Sequence, residues 1–377
     1  MKPRIYLDNN ASTIIDPRVL SILIKDLEQS EGNPSSIHAR GQEMKNRLAK
    51  ARRTIAAFIN ARPAEVVFTS GGTEGMNMLI KGFLFEPPGH FITSNVEHAC
   101  VECAARQLEQ TGWRGSYLPA GLEGAVTAAQ VAAALQPDTR FITLIAANNE
   151  TGVLTDIEAI AALAHENKIP LLLDGVALLG KELFRIPEGV AAMAFSGHKI
   201  HAPKGIGFAF IRQRFKLAPL LCGGGQEGER RGGTENIHGI IALAEAMQIL
   251  AEELPISVGR MRQLKEQLQS GLEARLTGVS VNGFGKKVSN TINLSFAGVE
   301  GESLLMSLDL AGLAVSHGSA CSSGSLEPSR ILRNMGVARK AANSSIRFSL
   351  SRMTTVEEIE LAIEIVAGTV SRLRSIR

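Results

Sequence analysis

The sequence is short of cysteine. It has four in 377 residues, too few for a disulfide framework, and a reducing cytosol is the default expectation. Charge of one sign is also lacking. Lysine and arginine number 40 against 37 aspartates and glutamates, a net charge of +3, and no basic block stands out. That argues against nucleic acid as a main partner. No apolar run approaches the roughly 20 residues of a membrane span. The opening segment MKPRIYLDNN enters a strand-like stretch almost at once, so no secretory or transit-type leader is expected. Internal repeats and low-complexity linkers are missing as well. What remains is 45% hydrophobic and 20% charged residues, a composition for a large packed core rather than disorder.

The stretch Phe195–Gly205, FSGHKIHAPKG, sets Lys199 between His198 and His201, with Lys204 in the turn that follows. Apolar runs VAAMAF and IGFAFI flank it and read as buried strands. An ammonium desolvated there must be paired or lose its charge. Such a lysine can attack a carbonyl and form a Schiff base. An ordinary surface turn is the other reading of these residues taken alone.

Upstream, strand-like and helical patterns alternate. A strand over 65–70 runs into GGTEG and a helix, an arrangement that aims free backbone N–H groups at an anion. Thr73 adds a hydroxyl, and a tight turn is the competing explanation. A strand from 90 ends at Glu97-His98, and one from 139 ends at Asn148-Asn149-Glu150. Strand 169–175 ends at Asp174, and strand 189–199 carries Lys199. The pattern predicts a mostly parallel sheet between helices. Ligands then lie beyond the carboxyl ends of the strands, which gathers Gly72, Thr73, His98, Asn149, Asp174 and Lys199 at one rim. Cys100 and Cys103 share a helix face. With no second pair nearby, core packing or chance explains them better than a metal site or a redox pair, and no metal is expected.

Past a glycine-rich loop (222–236) and a long amphipathic helix (about 236–272) the pattern changes. Residues 288–318 read as strand, helix, strand, suggesting a smaller α/β domain. Residues 318–328 form a loop of small residues around Cys321. A last strand lies within 344–355, and a helix follows it.

Taken together these stretches resemble the cysteine desulfurases of the NifS/IscS-like group, within the fold-type I pyridoxal-phosphate enzymes related to class V aminotransferases. The resemblance is carried by YLDNNAST (6–13), GNPSSIH (32–38), TSGGTEGMN (69–77), NVEH (95–98), NNETG (148–152), FSGHKIHAPKG (195–205), GGGQE and GGTEN (223–236), GSACSSGSLEPS (319–329, with the glycine before it) and SSIRFSLSR (344–352). It spans nearly the whole chain.

The resemblance implies an α/β fold-type I architecture, with a seven-stranded-type sheet in a large domain (15–255). A small domain would combine 1–14 with 256–377. It implies pyridoxal 5′-phosphate as cofactor, with Lys199 as the Schiff-base lysine and the base that moves the substrate's Cα proton. Gly72, Thr73, Ser196 and His198 would hold the phosphate, with Thr234 reaching across from a partner subunit. His98 would stack on the pyridine ring and take part in acid–base chemistry. Asp174 would pair with the ring nitrogen and keep it protonated, and Asn149 would add a cofactor and substrate contact. Arg347 would grip the substrate carboxylate through its guanidinium fork. Its place between Ile346 and Phe348 suits a paired, partly buried arginine better than a surface one.

Cys321 would be the nucleophile, its loop of small polar residues arguing against a buried inert thiol; Cys222 reads as structural. The implied reaction converts L-cysteine to L-alanine and leaves a persulfide on Cys321. The sulfur would pass to an acceptor protein such as an iron–sulfur scaffold or a tRNA-thiolation protein. A cytoplasmic homodimer is expected. Selenocysteine lyase or transaminase chemistry is the alternative within the same enzymes, and a degenerate binding protein the alternative outside catalysis. One departure stands out. Where the family carries a glutamine that hydrogen-bonds the cofactor's phenolic oxygen, this chain reads Asp174-Gly175-Val176-Ala177. Alanine cannot make that bond, which is worth roughly 1.5–3 kcal/mol to a charged group.

Overall fold

The structure, a computed structural model, describes residues 4–29, 31–317 and 328–376. After a two-residue strand β1 (Ile5–Tyr6), helices α1 (Pro17–Gln29) and α2 (Ala39–Phe58) lead into the main sheet. Its strands are β2 (Val66–Thr69), β3 (His90–Ser94), β4 (Arg114–Leu118), β5 (Thr139–Ile145), β6 (Leu171–Asp174), β7 (Val190–Ser196) and β8 (Gly207–Ile211). They line up as β2-β8-β7-β6-β5-β3-β4. The pairs from β7 to β4 are all parallel, and β8 runs antiparallel to both β7 and β2. The strands other than β8 therefore end on one side, and β8 begins there.

The sheet is covered on both faces, as parallel strands without alternating polarity require. Along β6, Leu171 and Leu173 join one apolar cluster and Leu172 the other, as the two-residue period of a strand dictates. Helices α3 (Gly72–Lys81) and α4 (Ala99–Glu109) pack on the Leu172 face through Met76, Leu79, Val101 and Leu108. Across the sheet lie α2, α6 (Ile157–Glu166) and the start of α7 (Ile237–Arg275), through Ile55, Ile160 and Leu243. The short α5 (Ala128–Ala134) adds Val131 there.

Helix α7 runs for 39 residues with Pro255 inside it, roughly 58 Å at 1.5 Å per residue. Its first half packs into the large cluster through Leu243 and Leu250. Its second half packs through Leu264 and Leu272 into a separate core with Ile5, Leu7, Phe296 and Phe348. That core belongs to an antiparallel sheet ordered β12-β10-β9, built from β9 (Val279–Val281), β10 (Thr291–Phe296) and β12 (Ser345–Ser349). Helices α8 (Gly301–Leu310) and α11 (Val356–Ser375) cover it. Strand β1 pairs in parallel with β11 (Leu313–Ala314). The short helices α9 (Arg330–Asn334) and α10 (Arg339–Asn343) place Ile331, Leu332 and Ala342 in the large cluster instead.

The strand-like stretch that opens the chain is shorter than its apolar pattern suggests. It stops at Tyr6, and Asp8 forms an isolated bridge to Ser349. The expected strand to residue 199 stops at Ser196, and Gly197–Lys199 is a single 3₁₀ turn. Strand β4 and helix α5 had no clear sequence signature, because β4 is exposed or half-buried along its length. Among the described residues no helix is long and apolar enough to cross a membrane.

Candidate active site

Lys199 sits at the turn joining β7 to β8, pinned by the N-terminal segment. Its Nζ donates to the carbonyl of Asn10 and, at 2.8 Å, to that of Ala11. Thr13 fastens the same turn: its N–H and its hydroxyl both donate to the His198 carbonyl at 2.9 Å, and its Oγ1 accepts the His201 N–H at 2.8 Å. His201 holds φ at +68°, uncommon for a non-glycine residue. The turn is thus held by a loop almost two hundred residues away in the chain.

Lys199 opens onto a cavity of about 220 Å³ at the carboxyl ends of the strands. The cavity reaches the N-terminus of α3, where Gly71 takes φ +155° as N-cap, a conformation essentially confined to glycine. The approach is close. A Cβ on Gly207 would meet the Gly71 Cα at 2.7 Å and the Phe195 carbonyl at 2.5 Å, so β8 lies against the turn only because it begins with glycine. The first-turn residues Gly72 and Thr73, the Ser196 hydroxyl and the His198 ring converge there, a donor set suited to an anion. Burial, with help from Lys199 and Lys204, pushes His198 down to about 4, so the ring is neutral at pH 7 and its Nδ1 lies 3.3 Å from the Ser12 hydroxyl.

Asp174, which ends β6, lines the same cavity. It is 3% exposed and accepts the Val176 N–H at 3.0 Å. Burial raises its pKa, against the pull of His98 and Lys199. His98 is the N-cap of α4, and its Nδ1 accepts the Cys100 N–H at 3.2 Å. Burial lowers its pKa, opposed by Asp174 and reinforced by Lys199. A buried carboxylate and a neutral imidazole therefore face the Lys199 amine across one cavity.

Arg347 reaches the cavity from β12. Its side chain is 2% exposed. Nη2 donates to Asp8 Oδ1 at 2.6 Å and Nη1 to the Asn149 carbonyl at 3.1 Å. Its Nε has no partner among the described residues, and neither has the Asn149 side-chain oxygen Oδ1. Both residues line the cavity, and buried polar atoms left unsatisfied call for a partner.

Of the residues singled out in the sequence, Gly72, Thr73, His98, Asn149, Asp174, Ser196, His198, Lys199 and Arg347 all line this one cavity. Thr234 does not. It lines a separate, smaller cavity of the same chain with Ser70 and Glu235. Cys321 lies outside the described residues. Ala177 stands on the cavity wall, where its methyl offers no hydrogen bond. Sequence reasoning missed four contributors. The Asn10 and Ala11 carbonyls were hidden because any residue has a carbonyl. Asp8, at the end of an apolar stretch, was visible as a strand end but not as the partner of Arg347. Lys181, following the apolar run LLG, is 3% exposed and donates to the Lys199 carbonyl at 3.0 Å. Burial, then Lys199 and Arg352, lowers its pKa to about 7.

A family model described as Aminotransferase class-V matches residues 5–361. The chain is 41% identical over 376 residues to a Trichormus variabilis protein named cysteine desulfurase 2, covering 99% of this chain and 94% of the relative. It is 40% identical over 381 residues to cysteine desulfurase IscS of Dictyoglomus turgidum, covering 100% and 97%. Among solved structures it is similar to one titled NifS-like protein, with a TM-score of 0.91 and 32% identity over 98% of this chain and 100% of that one.

Proposed function

The chain belongs to the class-V aminotransferase family and is a cysteine desulfurase dependent on pyridoxal 5′-phosphate, and from that premise we propose how its residues divide the work. The observation that carries the proposal is convergence. An amine, a buried carboxylate, an imidazole and a guanidinium from four separate elements meet on one 220 Å³ cavity beside a helix N-terminus.

The residues present fit the cofactor. Asp174 is buried and accepts one backbone N–H, with His98 and Lys199 acting on it through space, so a protonated ring nitrogen would answer its charge. The Asn149 Oδ1 acceptor is unpaired. Gly207 leaves the backbone around Gly71 close enough to cradle a phosphate. Gly72, Thr73, Ser196 and His198 would hold that phosphate, Asp174 the ring nitrogen, Lys199 the aldehyde carbon, and His98 the ring face. When bound, the cofactor supplies an electrophilic carbon for amines and an electron sink for the carbanion chemistry.

The rest falls to the protein. Arg347, braced by Asp8 and the Asn149 carbonyl, receives the carboxylate of L-cysteine. Lys199 removes the Cα proton. The Cys321 thiolate attacks the substrate sulfur. A sulfur–sulfur bond forms and the carbon–sulfur bond breaks, its electron pair staying with the three-carbon fragment. Lys199 or His98 then returns protons to that fragment, giving L-alanine and a persulfide on Cys321, with no net oxidation. The persulfide sulfur passes on to an acceptor protein that serves iron–sulfur cluster assembly or tRNA thiolation. We place the enzyme in the cytoplasm as a homodimer, with Thr234 completing the partner's phosphate site. The division into residues 15–255, and 1–14 with 256–377, is part of the same proposal. It is supported by the packing of Ile5 and Leu7 with Leu264 and Phe348, although residues 331–342 pack with the larger core.

The test supplies L-cysteine and a reducing thiol to the yellow, cofactor-loaded protein and measures alanine and sulfide. Equal yields, both lost in Cys321→Ala while the colour is kept, are expected. Alanine formation that survives Cys321→Ala would remove Cys321 from the mechanism.

A further inference from the structure

Cys100 has no place in that scheme, yet it stands on the cavity wall. It is the second residue of α4, and His98 caps that helix. The capping imidazole folds back to accept the Cys100 N–H, which brings its Nδ1 to 3.0 Å from Cys100 Sγ. Asp174 arrives from the end of β6. One ring nitrogen of His98, the Cys100 sulfur and one Asp174 carboxylate oxygen all lie within 4.8 Å of one another. Ligand atoms around a tetrahedral zinc ion stand roughly 3–4 Å apart, from zinc–nitrogen and zinc–oxygen bonds of about 2.0–2.2 Å and a zinc–sulfur bond of about 2.3 Å. Small side-chain rotations close that difference.

The chemistry of the set is selective. Imidazole, thiolate and carboxylate together suit zinc and related divalent ions, and the thiolate disfavours magnesium and calcium. The thiolate and carboxylate charges balance a divalent cation. All three side chains line the cavity, which leaves space beside them for a water as fourth ligand. Among the described residues Asp174 accepts one backbone N–H, and a buried carboxylate calls for a closely paired cation. A bound ion would supply one.

We propose that the cofactor-free chain binds one zinc-like divalent ion through His98, Cys100 and Asp174, and that this ion and the cofactor exclude one another. Binding replaces the Cys100 S–H bond with a sulfur–metal bond and releases one proton to solvent. Exclusion follows because Asp174 and His98 cannot serve the ion and the pyridine ring together. Metal binding stands on the geometry of the three side chains alone; only the exclusion rests on the cofactor assignment made above.

The experiment uses the full chain in its cofactor-loaded and cofactor-free forms. Zinc is titrated by calorimetry, and cobalt(II) serves as an optical probe whose thiolate-to-metal charge-transfer band reports a bound sulfur. The cofactor-free chain is expected to take up one ion per chain with that band and with proton release. Cys100→Ser, which keeps the side chain's size but not its soft sulfur, should abolish the band and weaken zinc by roughly tenfold or more, since even outer-shell changes at metal sites cost about 10–100-fold. Cys103→Ala and Cys321→Ala should leave both unchanged. Yellow colour on loading Cys100→Ser shows that the variant is folded, and Cys100→Ala is the second variant if it is not. A band that persists without Cys100, a band that follows Cys103 or Cys321, or no band at all overturns the site. Equal metal uptake by the loaded protein overturns the exclusion. Cys100-dependent metal binding by a chain that never takes up the cofactor would leave the site standing and sink the cofactor assignment instead.

Discussion

Asp8 braces Arg347 from behind: the carboxylate Oδ1 lies 2.6 Å from Nη2 of a guanidinium that is almost wholly buried. The two residues are 339 apart in the chain. The contact fixes the plane of the fork, and Nε is buried without a partner among the described residues. Charge-assisted pairs of this kind are the strong ones, and their geometry adds specificity.

Asp8→Asn keeps the shape of the brace and removes its charge. The KM for L-cysteine is expected to rise by roughly tenfold, as the loss of about 1.5 kcal/mol from a charged hydrogen bond implies, while kcat changes much less. Arg347→Lys should cost more, because an ammonium cannot present two parallel N–H groups. Steady-state kinetics on the two variants check this; an Asp8→Asn enzyme with unchanged KM would remove the brace from substrate binding.

His201 makes the protein sensitive to acid. Its Nδ1 lies 2.9 Å from the Ile14 carbonyl, while Nε2 is buried without a partner among the described residues. Lys181 and Arg352 face it, with Asp16 opposing them, and burial is the main reason its pKa falls to about 3. Unfolded, it protonates near 6.5. Between those values only the unfolded chain gains the proton, so stability contributed by neutral His201 is lost as pH falls from about 6.5 toward 3. His201→Asn, which tolerates the positive φ, should flatten the thermal-melting profile over that window. Parallel profiles for the two proteins would count against it.

Lys181 acts at the other end of the scale. Its pKa is depressed to about 7 against about 10.4 unfolded. Between these values the unfolded state holds the extra proton, so stability rises as pH increases from about 7 toward 10. Lys181→Met removes that slope along with the bond to the Lys199 carbonyl. Melting curves for both proteins from pH 7 to pH 10 measure it, and Lys265 and Lys287, also depressed mainly by burial, supply whatever slope remains in the variant.

Ala177→Gln restores a donor on the cavity wall. Dissociation of the cofactor from the loaded protein is expected to slow by roughly tenfold or more, the equivalent of one hydrogen bond to a charged oxygen. Loss of the yellow colour on dilution follows it directly. A variant that folds normally but releases the cofactor at the parent's rate would show that position 177 does not reach the phenolic oxygen.

Much of the site was legible in the sequence, because it depends on a local rule. Buried strands alternating with helices make a parallel sheet. In that sheet Gly72, His98, Asn149, Asp174 and Lys199 fall where strands end, so they share a rim before any contact is known. The capping of α4 by His98 is equally local, and with it the approach of Cys100 to the ring. Strand β4 and helix α5 were not legible, since half-buried strands and short helices carry little periodicity.

Other features were decided only when distant segments met. Lys199 is held by the Asn10 and Ala11 carbonyls, Arg347 is braced by Asp8, and Lys181 and His201 are buried. Their spacing along the chain carries no trace of these relations. Local composition settles which segments become strands and helices. The protonation of a buried lysine, or the direction in which an arginine points, is settled by whatever packs against it, and desolvation and pairing act through space.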